Sequence, residues 1–167
     1  PQSSETPTVA STQYATLDFL DPYLFRIRVP STWSTEEVDR TERLLSVSAM
    51  APDQRAAIVV YALGGWSFDT DTVEELFQLW VKSFEGFAVD PRVGPVQDPG
   101  WVLPLLGGDA SYTYTDPSGP RIRGFLRLII TDKWAYLLDL ATFEDDWDGF
   151  QPIFDQVNDG FAFAFGQ

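Results

Sequence analysis

The densest group of chemically active side chains in the sequence is a run of acids near the C-terminus. It consists of Glu144, Asp145, Asp146 and Asp148. Several carboxylate oxygens together can coordinate Ca²⁺, but the residue spacing of an EF-hand loop is absent. Acids are also favoured just before a helix begins, because the helix dipole attracts negative charge there. We therefore predict no metal site, and the sequence leaves cation binding by this run open.

Nucleophilic catalysis lacks its usual residues in this chain. The sequence contains no histidine and no cysteine, which excludes a Ser–His pair, a thiolate and the common zinc ligands. Its two lysines, Lys82 and Lys133, fall in the last turn of a predicted helix and in a tight turn, where both are solvated. We predict no catalytic residue and no cofactor. A hydrolase that uses carboxylates of the region 87–108 is kept as an alternative.

The arginines are unevenly distributed, because five of the nine lie on two predicted strands. Arg26 and Arg28 share one side of the first strand, and Arg121, Arg123 and Arg127 share one side of the second. Guanidinium groups bind carboxylate and phosphate through two parallel hydrogen bonds, so these residues are candidates for a face that binds a ligand or partner. The competing interpretation is that they pair with acids on neighbouring strands.

Large aromatic residues occur in the loops that are rich in glycine and proline. Trp66 follows Gly64 and Gly65, and Trp101 follows Pro99 and Gly100. Such residues either line a ligand or partner surface or pack beneath their own loops. They raise the alternative that the protein is a small-ligand carrier with a loop pocket near Trp101.

The overall composition is that of an acidic globular protein. The 167 residues carry a formal net charge of −14 and 44% hydrophobic residues, and no basic run is present to bind nucleic acid. The Ser-, Thr- and Pro-rich residues 1–13 predict a flexible tether. We predict a single domain over residues 14–167, with no transmembrane segment.

Hydrophobic periodicity predicts the order of elements. Alternating or continuous apolar runs predict strands over 14–19, 23–29, 43–50 and 56–63, and later over 93–97, 109–115, 121–131 and 134–142. Apolar residues spaced at helical intervals predict one helix over 72–85 and a second over 151–163, in whose first turn Pro152 is tolerated. Short turns between successive strands make the sheet antiparallel, so the fold class is α+β, with a sheet of about seven or eight strands and helices packed on it.

A family resemblance supports this fold. Phe25, Ile27, Val29, Pro30 and Trp33 form a strand–Pro–Trp stretch, a helix in the middle of the chain ends at Phe84-Glu85-Gly86, and two long strands lead to a terminal helix. Over residues 14–165 this pattern resembles the PsbP-like superfamily, and in particular its branch of exported bacterial lipoproteins. The metal-binding histidines and basic docking patches of other members have no counterpart here.

The resemblance implies a sandwich of helices around an antiparallel sheet and a non-enzymatic binding or accessory role. It also implies an extracytoplasmic location, with a lipid anchor upstream of Pro1. The partner would be a protein or a small molecule.

Overall fold

The computed structural model of the chain describes residues 12–65, 70–98 and 106–163. These ranges contain ten strands and two helices, which we number in chain order. The strands are β1 (Tyr14–Phe19), β2 (Phe25–Pro30), β3 (Ser34–Arg40), β4 (Leu44–Met50), β5 (Ala56–Gly64), β6 (Val89–Val93), β7 (Leu106–Thr115), β8 (Arg121–Ile130), β9 (Trp134–Phe143) and β10 (Ala162–Phe163). The helices are α1 (Thr70–Glu85) and α2 (Trp147–Asp159).

The central layer is a seven-stranded antiparallel sheet with the strand order β3-β4-β5-β9-β8-β7-β6. Its middle strands carry apolar residues on both faces, because a different layer covers each face. In β5, for example, alternate residues from Ala56 to Gly64 are buried, and the residues between them are partly buried. The sheet therefore separates two hydrophobic clusters.

One face of the sheet is covered by α2 and by a second, three-stranded sheet of order β1-β2-β10. The alternation of β2 turns Phe25, Ile27 and Val29 into this layer, where each is at most 2% exposed. Ile153 and Phe154 of α2 pack into the same cluster. The strand–Pro–Trp stretch thus forms part of the larger core.

Helix α1 covers part of the opposite face, where it packs mainly on β6, β7 and β8. Leu76 and Phe77 join Leu126 and Leu128 of β8 in the second cluster. On this face the residues of β5 remain only partly buried. A space remains between α1 and the middle of the sheet.

The predicted α+β class and antiparallel sheet are confirmed, with three local corrections. The strand predicted over 93–97 lies earlier in the chain, as β6 (Val89–Val93). Strand β3 was missed because its sequence shows no apolar alternation. All seven of its residues are exposed, and Val38 is the only apolar one. The last helix begins at Trp147, after a single 3-10 turn at Glu144–Asp146, and ends at Asp159 rather than 163. Pro152 therefore lies in its second turn, where its ring nitrogen cannot donate a helical hydrogen bond. The boundary of the tether at residue 13 stays a prediction, since residues 1–11 lie outside the described ranges.

Candidate functional site

The described residues form a large pocket between α1 and the sheet. Its volume is about 540 Å³, within the usual range for small-molecule sites. The lining residues come from α1 and its C-terminal end and from four neighbouring strands: Tyr61, Leu63, Leu76, Leu79, Trp80, Ser83, Phe84, Phe87, Tyr112, Tyr114, Leu128, Ala135, Leu137, Asp139 and Ala141. We call this feature the α1 pocket.

The helix side of the α1 pocket follows from helical periodicity. Leu76, Trp80 and Phe84 recur at four-residue intervals and therefore lie on one face. Leu79, at 54% exposure, and Phe87, at 49%, are the most exposed of the lining residues that are apolar. They form an apolar rim at the mouth of the pocket.

The floor of the α1 pocket is the middle of the sheet. Tyr61 on β5 lies directly opposite Leu137 on β9, and alternate residues of β9 place Asp139 on the same face as Leu137. Asp139 is the one carboxyl-bearing side chain among the described lining residues. A single acid is thus set into an otherwise apolar and aromatic floor.

A tyrosine reaches this acid by crossing a whole strand. Tyr112 lies on β7, opposite Gly124 on β8, and its hydroxyl donates a 2.7 Å hydrogen bond to Asp139 Oδ1 on β9. A Cβ on residue 124 would come within 2.1 Å of Tyr112 Cζ, closer than any real contact. Only glycine at position 124 allows the phenol ring to lie across β8.

Aromatic packing fixes Tyr112 in this orientation. Its ring centroid lies 4.7 Å from that of Trp80 and 5.2 Å from that of Phe84, both on α1. Tyr114 stacks beside it at 6.2 Å. Tyr112 is 4% exposed, so its hydroxyl and the acid form a rigid pair.

The electrostatics of the pair follow from its surroundings. Burial raises the pKa of Asp139 to about 7, although the hydrogen bond from Tyr112 acts in the opposite direction. Burial, and then the nearby Asp139 carboxylate, raise the pKa of Tyr112 well above its ordinary value. The pKa values of Tyr61 and Tyr114 are also raised, first by burial and then by Asp139. Asp139 therefore changes charge near neutral pH, whereas the tyrosines stay neutral.

The structure places the five candidate arginines in two different sheets. Arg26 and Arg28 lie on the exposed side of β2 in the three-stranded sheet. Arg121, Arg123 and Arg127 lie on β8, which belongs to the seven-stranded sheet. The two groups of arginines therefore do not lie on neighbouring strands of one sheet.

Contacts within the chain engage each of these arginines. Arg26 pairs with Asp18 and Arg127 with Asp109, and in both cases the partners lie opposite each other on neighbouring strands. The Nε atom of Arg121 lies 2.9 Å from Glu144 Oε2. Arg28 lies over the Tyr14 ring, and the guanidinium of Arg123 lies 4.5 Å from the centroid of the Trp147 ring. These contacts favour the cross-strand interpretation, and binding of an anionic partner stays a prediction.

The acidic run at 144–148 also makes ion pairs. Besides the contact between Glu144 and Arg121, Asp146 lies 2.6 Å from Arg55. Among the described residues no group of three or more acids is arranged to hold a metal ion. Trp66 and Trp101, and with them the predicted loop pocket, lie outside the described residues.

Sequence reasoning missed the α1 pocket, although one signal was available. Asp139 is the only charged residue in the ten-residue apolar strand β9, and an acid in such a strand needs an explanation. Trp80 and Phe84 follow the helical spacing that predicted α1, and both line the pocket. The sequence did not show that this face leaves a gap above β9.

Comparison with known proteins identifies the fold. No protein-family model matches the chain, and no curated protein sequence matches it either. The solution structure of cyanobacterial PsbP (CyanoP) from Synechocystis sp. PCC 6803 is similar, with a TM-score of 0.61, 13% identity and coverage of 91% of this chain and 93% of that one. LpqN of Mycobacterium tuberculosis, which is involved in cell envelope biogenesis, is similar with a TM-score of 0.56, 12% identity and 91% coverage of both chains.

The chain therefore has a PsbP-like fold, as its sequence predicted. At these identities the likeness establishes the arrangement of the chain and nothing about its ligands. A separate finding is that no helix within the described ranges has the length and apolar character needed to cross a membrane.

Proposed function

We propose that this protein is a non-enzymatic binding module that holds a small, largely apolar molecule in the α1 pocket. The observation that carries this proposal is the pocket itself, with about 540 Å³ of space lined mainly by aliphatic and aromatic side chains. Sites of this size and lining typically bury most of a small ligand, and a few polar groups orient it.

The apolar rim supports access from solvent. Leu79 and Phe87 are each about half exposed, although a side chain of this kind would be better buried. A ligand that entered between them would cover apolar surface on both sides, at roughly 25 cal/mol for each Å² removed from water. The hydrophobic effect would therefore favour binding.

The arrangement of acids in the α1 pocket does not favour a carboxylate-dependent hydrolase there, and a hydrolase that uses carboxylates of the region 87–108 stays a prediction. A glycosidase needs two carboxyl groups that face each other across the scissile bond. Among the described lining residues the α1 pocket offers Asp139 alone. The proposed function thus agrees with the alternative of a small-ligand carrier, but it uses the α1 pocket and not the predicted loop pocket near Trp101.

Binding is tested with N-phenyl-1-naphthylamine, an uncharged probe whose fluorescence rises in an apolar site. We expect saturable binding to the wild-type protein. Ser83→Trp places an indole at the lining of the pocket and should weaken binding at least about fivefold, since bulk there competes with the probe. Gln78→Trp is the matched control, because Gln78 is exposed on the same helix but does not line the pocket. No saturable binding, or equal loss in both variants, would refute the proposal.

The proposal also includes export and attachment to a membrane through the N-terminal tail. Two observations support it: residues 1–13 have the composition of a tether, and the fold is shared with a protein involved in cell envelope biogenesis. Reading the complete open reading frame tests it. A signal sequence with a cysteine for lipid attachment upstream of residue 1 is expected, and a reading frame without one would exclude the anchor.

A further inference from the structure

Asp139 differs from Asp109, another partly buried acid, in what compensates its charge. Asp109 is 14% exposed at its side chain and receives two hydrogen bonds, of 2.8 and 2.7 Å, from the guanidinium of Arg127. Asp139 receives one hydrogen bond, from the neutral Tyr112 hydroxyl, and no cation among the described residues pairs with it. A carboxylate in an apolar site without a cationic partner is energetically unfavourable.

The second carboxylate oxygen of Asp139 is not engaged by the described part of the chain. Tyr112 uses Oδ1, and no hydrogen bond to Oδ2 is made by the described residues. Because Asp139 lines the α1 pocket, a ligand seated there can approach this acceptor directly. The protein thus presents one strong acceptor at the bottom of an apolar cavity.

The other polar side chains among the described lining residues are neutral, so Asp139 carries the one formal charge that they contribute to the α1 pocket. The hydroxyl-bearing ones are Tyr61 on β5, Tyr112 and Tyr114 on β7, and Ser83 on α1. Two acids farther away add to the raised pKa values of the tyrosines. Asp39 raises the pKa of Tyr61 and Asp116 raises that of Tyr114, in each case by less than burial and Asp139 do. No lysine or arginine is among the described lining residues.

The aromatic walls add a second attraction for positive charge. Trp80, Phe84 and Phe87 of the helix side, together with the tyrosines of the floor, line the cavity with aromatic rings. An ammonium group within about 6 Å of such a ring is stabilised by about 0.5–2 kcal/mol, with the larger values where water is excluded. The formal net charge of −14 favours the approach of cations over anions.

From these observations we infer that the ligand of the α1 pocket is an amphiphilic amine, whose ammonium group pairs with Asp139 while its apolar body contacts α1 and the aromatic walls. The inference rests on the proposed function, since it names the chemical class that the same pocket selects. Tyr112 is a positioning residue in this arrangement, because its hydrogen bond holds the carboxylate toward the cavity.

Release on acidification follows from the same geometry. Burial places the pKa of Asp139 at about 7, and an aliphatic amine titrates near pH 10. Both partners are charged at about pH 8.5, whereas at about pH 5 the acid is protonated and the ion pair is lost. Amine binding should therefore weaken as pH falls, and binding near neutral pH should release a proton.

The test compares three probes that share one aromatic body. They are 2-(1-naphthyl)ethylamine, the uncharged 2-(1-naphthyl)ethanol and the anionic 1-naphthylacetate, each measured by displacement of N-phenyl-1-naphthylamine. At pH 8.5 we expect the amine to bind at least about tenfold more tightly than the alcohol and the acetate to bind most weakly. At pH 5 the preference for the amine should fall to about twofold or less.

Two variants separate this inference from the proposed function. Asp139→Asn should abolish the preference for the amine over the alcohol, and a cooperative unfolding transition in urea shows that the variant is folded. Tyr112→Phe should keep the preference but move its pH midpoint upward, because the lost hydrogen bond stabilised the carboxylate. Calorimetry in two buffers should detect proton release when the amine binds to the wild-type protein near pH 6.5, and none for the alcohol.

The outcomes are distinguishable. If the alcohol binds in the α1 pocket but the amine binds no better, or if Asp139→Asn keeps the preference, the amine inference is wrong and the proposed function stands. If no probe binds, the proposed function fails and the inference fails with it.

Discussion

At the scale of single residues, the pair of Tyr112 and Asp139 is the least expected feature of this protein. An acid on the central strand of a sheet is costly unless its charge is compensated, and the 2.7 Å hydrogen bond from a neutral phenol compensates it only in part. The result is an acid whose pKa of about 7 lies far above its ordinary value of 3.8. Protein stability should therefore report on its protonation.

We predict that Asp139→Asn stabilises the protein at pH 8 but not at pH 4. The folded protein holds the Asp139 proton more tightly than the unfolded chain does, so its stabilising contribution is complete below about pH 4 and is lost as pH rises through about 7. Asparagine keeps the shape and the acceptor for Tyr112 without the charge. Removing the charge should raise the free energy of unfolding at pH 8 by at most about 4 kcal/mol, measured by urea titration.

Asp109→Asn is the matched control for this prediction. Asp109 is bound by Arg127, so its replacement leaves a shielded guanidinium without its carboxylate and should destabilise the protein at pH 8. If both variants change stability in the same direction at pH 8, the contrast between the two acids is wrong.

At the scale of secondary-structure elements, Gly124 determines how β7, β8 and β9 cooperate. It lies between Tyr112 on β7 and Ala141 on β9 in the register of the sheet. Because it has no side chain, the Tyr112 ring can span β8 and reach the third strand. A glycine inside a strand ordinarily weakens it, and it often marks a close approach of this kind.

We predict that Gly124→Ala destabilises the protein by about 1–3 kcal/mol, because the new methyl group displaces the Tyr112 ring and breaks its bond to Asp139. Denaturant titration measures the loss, and the pKa of Asp139, followed by carboxyl NMR, should rise as well. Gly86→Ala is the control, since the nearest atom to its new Cβ would be 4.0 Å away. An unchanged pKa of Asp139 in Gly124→Ala would contradict the proposed role of this glycine.

At the scale of the whole molecule, negative charge dominates. The formal net charge is −14, and several of the described ion pairs join exposed side chains, as Arg26–Asp18 and Arg92–Asp90 do. Exposed pairs contribute little to stability, whereas a large net charge destabilises the compact state through repulsion among its own residues. Repulsion should therefore outweigh the pairs.

We predict that added sodium chloride raises the thermal midpoint of unfolding. Salt shortens the Debye length from about 30 Å at 0.01 M to about 3 Å at 1 M and thus screens the repulsion. Calorimetry at pH 8 in 10 mM and 500 mM sodium chloride measures the effect. Chloride is preferred to sulfate, which would strengthen hydrophobic burial as well. A midpoint that falls with salt would show that the ion pairs outweigh the repulsion.

The sequence by itself determined the fold class and most of the elements. Alternating or continuous apolar runs indicated β2, β4, β5, β8 and β9, and helical spacing indicated α1, because each of these elements has a face that must be buried. Strand β3 could not be recognised in this way, since edge pairing with β4 holds it without burying its side chains. The start of α2 was misplaced because Pro152 was taken to mark the first turn of the helix. In the structure Pro152 lies in the second turn.

The tertiary structure alone decided where the candidate site lies. Tyr112, Gly124 and Asp139 belong to three different strands, and local pattern cannot show that their register brings a hydroxyl to a carboxylate. Nor does the spacing of Leu76, Trp80 and Phe84 show whether their helix closes on the sheet or leaves a cavity. The strand order places β8 between β7 and β9, and the position of α1 over β6, β7 and β8 leaves Asp139 at the floor of an open pocket. Long-range packing makes this pocket, and the lone acid of β9 marks only one of its residues.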